Sequence, residues 1–172
     1  VHYVKKSSYL KLKCLSVHIG SQILENKPYE KVLNILEKTL KKKNLNFEYI
    51  DLGGGMGIDY GNEKKQLDLE RYYLKIKRFL KKNNTKIIFE PGRSIIANCG
   101  YLISKIIYIK EGGKKEFVIL DAAMNDLMRP ALYNAKHRII ALNKNNKKTK
   151  KIYEFVGPIC ESTDKFLTTK KF

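Results

Sequence analysis

The chain holds 172 residues, with 35 Lys and Arg against 17 Asp and Glu for a net charge of +18, and 43% of it is hydrophobic at a mean hydropathy of -0.40. That length suits one domain or parts of two, the apolar content is too high for a disordered segment, and no apolar run approaches the roughly 20 residues of a membrane helix, so no membrane partner is expected. Three cysteines, Cys14, Cys99 and Cys160, include no Cys-x-x-Cys pair, which suits a reducing, cytoplasmic setting, and with three well-separated histidines they form no metal pattern.

The sequence begins at Val1 rather than Met and enters strand-like residues with no apolar leader, so it reads as an internal piece of a longer protein. Lysine supplies all but five of the basic residues. Lys, Asn and Ile share AT-rich codons, so the charge is as readily a compositional drift as a nucleic-acid footprint. The basic stretches Lys41 to Lys43, Lys81 with Lys82, and Lys144 to Lys151 interleave no aromatics for base stacking, and no nucleic-acid partner is expected.

In chain order, Leu10 to Ile19 reads as a strand buried on two faces, ending at Gly20-Ser21. Pro28 suits a first helical turn, and Tyr29, Val32, Leu33, Leu36 and Leu40 share one 3.6-period face before Lys41 to Asn44 close the helix. Phe47 to Leu52 is a second strand running into Gly53-Gly54-Gly55. A second helix follows from Gln66 to Lys82, with Leu69, Tyr72, Tyr73, Ile76, Phe79 and Leu80 as its stripe. Lys86 to Glu90 is a third strand, halted by Pro91-Gly92. Helices of this length connect parallel neighbours. Gly53 lies 35 residues after His18, and Glu90 lies 37 after Gly53, spacings near those of a (β/α)8 barrel. Beyond Glu90 the pattern changes: Tyr101 to Lys110 and Lys115 to Asp121 flank a Glu111-Gly112-Gly113-Lys114 hairpin signal, and Ile152 to Val156 is a further strand. The fold class expected is α/β, the carboxyl-terminal part of a barrel over 1–98 followed by part of an antiparallel β-domain over 99–172.

Each polar box lies at the carboxyl end of its strand, where parallel α/β folds place ligands. Gly53-Gly54-Gly55-Met56-Gly57 lets backbone amides approach a phosphate, but it fails the dinucleotide fingerprint because position 58 is Ile58, and a turn demanded by packing alone reads equally well. Glu90-Pro91-Gly92-Arg93 sets an acid and a bidentate donor at one strand end, for an anion or for a plain ion pair. His18-Ile19-Gly20-Ser21-Gln22 offers an imidazole and a hydroxyl, in a structural or a chemical role.

These boxes, followed by Asn125-Asp126-Leu127-Met128-Arg129-Pro130-Ala131-Leu132-Tyr133 and Val156-Gly157-Pro158-Ile159-Cys160-Glu161-Ser162, occur in an order that resembles the diaminopimelate decarboxylase family over nearly the whole chain. The resemblance implies a fold type III, alanine-racemase-like enzyme that uses pyridoxal 5'-phosphate to convert meso-2,6-diaminopimelate to L-lysine. It implies cofactor contacts from His18, Ser21, Gly53, Gly54, Gly55, Glu90, Pro91, Gly92 and Arg93, with Glu90 at the ring nitrogen and His18 on the ring. Arg93, Arg129, Tyr133 and Glu161 are implied to touch substrate. Cys160 is implied as proton donor, reaching with Glu161 into the site of a partner subunit, so that the active form is a homodimer with shared sites. Two positions depart from the family pattern, Thr163 and Ala123, each where the family has Gly. The lysine that bonds the cofactor sits in the family in an Ala-Val-Lys-Ala-Asn-like box, which this chain lacks, so the 172 residues alone are expected to be inactive. A related ornithine or arginine decarboxylase, a non-catalytic remnant and a basic binding module are the alternatives.

Overall fold

The structure, a computed structural model, describes residues 1–60, 65–142 and 151–170. Of the basic stretch Lys144 to Lys151, all but Lys151 lies outside the described residues. The chain divides into two compact units, Val1–Asp59 with Lys64–Gly100, and Tyr60–Glu63 with Tyr101–Phe172.

The first unit holds α1 (His2–Lys6), β1 (Cys14–Ser16), α2 (Asn26–Lys42), β2 (Tyr49–Asp51), α3 (Leu69–Asn83), β3 (Lys86–Ile88) and α4 (Arg93–Ile96). Its three strands form one parallel sheet in the order β1-β2-β3, with Leu15, Ile50 and Ile87 in register across it. Two crossover helices separate the strands, which is why the pairing is parallel. α2 buries Tyr29, Leu33, Leu36 and Leu40, the stripe expected from the sequence, and α3 buries Tyr72, Ile76 and Phe79. Together with Phe47, Ile50, Leu52 and Leu67 they make one continuous core. Pro28 falls in the first turn of α2 as its third residue, where its missing N–H costs no helical bond. α3 starts on Asp68, whose Oδ1 accepts from the Arg71 amide at 2.9 Å, and stops on left-handed Asn84.

Three expectations need correction here. Leu10 to Ile19 is not a long strand buried on both faces: β1 keeps three residues, of which Cys14 and Ser16 are exposed, because among the described residues it pairs only with β2. Leu69 and Tyr73 leave the α3 stripe and lie more than half exposed, since the buried face centres on Tyr72, Ile76 and Phe79 and both lie to one side of it. The short helices α1 and α4 fall where no helix was expected, α4 directly on the Arg93 box.

The second unit contains β4 (Ile106–Glu111), β5 (Glu116–Leu120), α5 (Arg129–Tyr133), β6 (Tyr153–Val156) and β7 (Lys165–Thr169), with sheet order β4-β5-β6-β7. The hairpin expected at residues 111–114 joins β4 to β5 antiparallel. The sheet is not antiparallel throughout, however: β5 and β6 run parallel, Val118 opposite Phe155. A link of 32 residues, 121–152, separates them, long enough for the crossover that parallel neighbours require. β7, unforeseen in the sequence, pairs antiparallel with β6. Val118, Leu120 and Phe155 form the core, flanked by Ile139, Tyr153, Phe166 and Leu167. No helix among the described residues is long and apolar enough to cross a membrane.

Glu154 lies buried on the central strand β6, where it accepts from Lys165 at 2.8 Å and pairs with Lys115. Burial pushes its carboxyl pKa up, but the hydrogen bonds and charges of the two lysines outweigh burial and hold it below the ordinary carboxylate range. A carboxylate whose folded pKa is depressed contributes stability that is present above its unfolded pKa and lost as pH falls through the folded value. The melting temperature of this unit should therefore drop below about pH 4.5, the region of an ordinary Glu. Glu154→Gln should flatten part of that drop in circular-dichroism melts, and an unchanged slope would show that the lysines do not set it.

Candidate active site

Three boxes meet at the carboxyl ends of β1, β2 and β3. The ladder continues past the strands: the Val17 amide donates to the Asp51 carbonyl at 2.9 Å, Leu52 to Ile88 at 3.0 Å, and Glu90 to Gly53 at 2.9 Å. Glycine is required where these chains cross. A Cβ on Gly54 would lie 2.3 Å from the Glu90 carbonyl oxygen, and one on Gly55 would lie 2.3 Å from that of Gly20. A Cβ on Gly53 would lie 2.8 Å from Nδ1 of His18, so the imidazole sits directly against the glycine turn. Gly53 and Gly55 also take positive φ, +62° and +86°.

Two side chains that the sequence reading left without a role hold this arrangement. Asp51 is buried; its Oδ1 accepts the Gly53 amide at 2.8 Å and its Oδ2 the Ser16 hydroxyl at 3.0 Å. Gln22 takes a positive φ of 60°, and its Oε1 accepts from Arg93 at 3.2 Å while its Nε2 donates to the Ile58 carbonyl at 2.6 Å. In the sequence the first was visible only inside the strand Phe47 to Leu52, and the second only as the last residue of the His18 box. Arg93 also donates to the Ser21 hydroxyl at 3.0 Å, which leaves that hydroxyl's proton free to donate onward. His18, Ser21, Gly53, Gly54, Gly55, Glu90 and Arg93 are thus brought together, with Pro91 and Gly92 linking the last two. The Glu90 side chain is exposed.

The remaining expected site residues lie in the second unit. Arg129 opens α5 and Tyr133 closes it, the guanidinium 5.6 Å from the centre of the Tyr133 ring, within cation–π reach. Cys160 and Glu161 are exposed on the turn between β6 and β7. The Ser162 hydroxyl, 3.0 Å away, and then the Thr163 amide, at 3.3 Å, hold the Glu161 carboxyl below its usual range. Neither Ala123 nor Thr163 has a positive φ, so a side chain in place of glycine carries no backbone strain at either position.

The donor set of the first unit suits a phosphate: a hydroxyl, a guanidinium, and the amides of Gly54 and Gly55, which meet no acceptor among the described residues. No group of three or more His, Cys, Asp and Glu that could hold a metal occurs among the described residues. A family model described as "Pyridoxal-dependent decarboxylase, C-terminal sheet domain" matches residues 3–172. The chain belongs to this decarboxylase family. It is 43% identical over 166 residues to diaminopimelate decarboxylase of Aquifex aeolicus, covering 94% of this chain and 39% of that protein. With the Zymomonas mobilis enzyme of the same name it shares 44% over 171 residues, covering 95% and 40%. The crystal structure of diaminopimelate decarboxylase from Helicobacter pylori complexed with L-lysine superimposes with a TM-score of 0.79 at 38% identity, over 99% of this chain and 43% of that one. The chain spans about two fifths of the length of the curated relatives it matches. The glycine crossing leaves no room for a single methyl group. Gly54→Ala should cost about 1–3 kcal/mol, the usual range for overpacking, because the group it meets is backbone and cannot rotate away. Gly113→Ala, which meets nothing within 4 Å, should stay within about 0.5 kcal/mol. Urea unfolding of both variants checks the contrast, and equal losses would mean that the crossing is not tight.

Proposed function

We propose that this chain is part of a diaminopimelate decarboxylase, a carboxy-lyase that forms L-lysine from meso-2,6-diaminopimelate with pyridoxal 5'-phosphate, acting in the cytoplasm as a homodimer with shared sites. In this reading the first unit is the later part of a (β/α)8 barrel over residues 1–98, and 99–172 belong to the β-domain. The observation that carries it is the convergence of Ser21, the glycine turn and Arg93 on one anion-sized cluster at the carboxyl ends of parallel strands.

Bound pyridoxal phosphate supplies an electron sink for the charge left when carbon dioxide departs. Ser21, Arg93 and the Gly54 and Gly55 amides hold its phosphate. Glu90 keeps a proton on the ring nitrogen, since a carboxylate beside a basic nitrogen favours the protonated form, and His18 stacks on the ring. Arg93, Arg129 and Tyr133 are substrate contacts, the two arginines each offering a planar fork to a dicarboxylate, and Glu161 faces an amino group. Cys160 of one subunit gives its Sγ proton to the substrate carbon of the partner's site and is reprotonated from solvent, a role that a thiol can fill near neutral pH.

In the complete protein, Arg129→Lys should lower kcat/KM for meso-diaminopimelate at least tenfold, about 1.4 kcal/mol of transition-state stabilisation, while cofactor retention by dialysis stays at the wild-type level. A lysine keeps the charge and loses the planar two-point grip. A change within about twofold, under roughly 0.5 kcal/mol, would remove Arg129 from the site. Carbon dioxide release from ornithine or arginine in preference to diaminopimelate would replace the substrate assignment.

The shared-site reading has its own test. Mixing Cys160→Ala with a variant lacking the cofactor-binding lysine should restore about a quarter of the sites, because half of randomly exchanged dimers are mixed and each carries one intact site. If activity stays absent after verified subunit exchange, Cys160 does not serve the partner.

A further inference from the structure

Asp164 ends the turn that carries Cys160 and Glu161, and it is buried, with 3% of its surface exposed. Its Oδ2 accepts the Ile159 amide at 2.9 Å, inside that turn, and its Oδ1 accepts the Met124 amide at 2.7 Å, forty residues away along the chain. The turn closes on the same residue: the Asp164 amide donates to the Glu161 carbonyl at 3.0 Å, and its carbonyl accepts from Gly157 at 3.1 Å. A Cβ on Gly157 would lie 2.3 Å from Oδ2, so glycine is what lets the carboxylate lie under the turn. Met124 belongs to the loop that leads into α5. There Asp126 accepts the Ala123 amide at 2.8 Å, and the Asp126 and Leu127 amides donate to the Ala123 carbonyl at 3.0 and 3.2 Å.

One buried carboxylate therefore ties the loop before Arg129 to the turn bearing Cys160. No ion pair to Asp164 occurs among the described residues, and two backbone amides compensate its desolvation. A buried carboxylate stripped of either amide is left under-solvated, which is expensive, so displacing one loop penalises the other. We propose that Asp164 is a positioning residue that fixes the Cys160–Glu161 turn and the Arg129–Tyr133 helix relative to each other, so that substrate grip and proton delivery depend on the same carboxylate. The coupling of the two loops stands on the geometry alone, whereas its effect on turnover rests on the function proposed above.

The test uses the complete, cofactor-loaded protein and Asp164→Asn, which turns one acceptor oxygen into a donor facing an N–H group. Residue-level hydrogen exchange should accelerate at least tenfold at both the Met124 and the Ile159 amides and stay unchanged at Ile50 and Ile87. Alkylation of Cys160 by iodoacetamide should accelerate relative to Cys14 and Cys99, and an unchanged ratio would show that Asp164 does not hold that turn. Turnover of meso-diaminopimelate should show a kcat lowered at least tenfold together with a raised KM, while Asp126→Asn, which touches only the loop before α5, should raise KM alone. If Asp164→Asn does not fold, Gly157→Ala, which presses on the same oxygen, should give the same pattern. Exchange that accelerates at one amide only overturns the coupling. Acceleration at both with kcat and KM within twofold of wild type overturns the positioning role and leaves a purely stabilising one. A wild-type protein inactive on diaminopimelate overturns the function reading, and exchange and alkylation then still decide the coupling.

Discussion

The first unit depends on the close passage of backbone against backbone at Gly54 and Gly55. Two carbonyl oxygens, of Glu90 and Gly20, occupy the space where side chains would begin. That contact brings the ends of three parallel strands within reach of one another, and it sets His18 against the turn. Beneath it lies Tyr29, buried in the α2 stripe, whose hydroxyl donates to the Gly54 carbonyl at 3.4 Å. Burial pushes the Tyr29 phenol up to about 12, so it stays a neutral donor across any working pH. The turn is thus held from above by Asp51 and the strand ladder and from below by the core, independently of any ligand.

The scarcity of arginine has a geometric counterpart. Arg93 spans two acceptors, the Ser21 hydroxyl and the Gln22 amide oxygen, which a point-charged ammonium on a flexible stem would not span as well. Arg129 lies over an aromatic ring. Arg71, by contrast, pairs with Glu30 between exposed helices, and such surface pairs contribute little. Arginine is therefore not a marker of the site by itself. A few lysines are paired locally: Lys115 and Lys165 flank buried Glu154, while Lys82 meets Glu37 and Lys151 meets Glu116 at the surface.

What was legible in the sequence followed from periodicity and punctuation. The α2 stripe, the parallel strand order and the Gly112-Gly113 hairpin each rest on local patterns that the packing does not override. Strand lengths were not legible, because a strand ends where its neighbour stops hydrogen-bonding, and Leu10 to Lys13 carries no mark of that. The parallel β5–β6 pair was missed for a similar reason: alternation tells which residues form a strand but not the direction from which a distant partner arrives. In the site, the glycines and Arg93 announce themselves by residue type, whereas Asp51, Gln22 and Asp164 act through backbone partners that no spacing rule exposes.

The parallel seam at the centre of the second sheet also governs the order in which that sheet can assemble. β4–β5 closes over a tight hairpin and β6–β7 over the eight residues 157–164, whereas β5–β6 must close 32 residues. Two doublings of loop length add about 1.2 kcal/mol of closure entropy, so the two hairpins are the local, low-contact-order pieces and the seam is the costlier pairing to close. Until it zips, the inner edges of β5 and β6 both present unpaired amides and carbonyls to solvent. During synthesis, the hairpin that emerges first must therefore wait for its partner with Val118 and Leu120 uncovered.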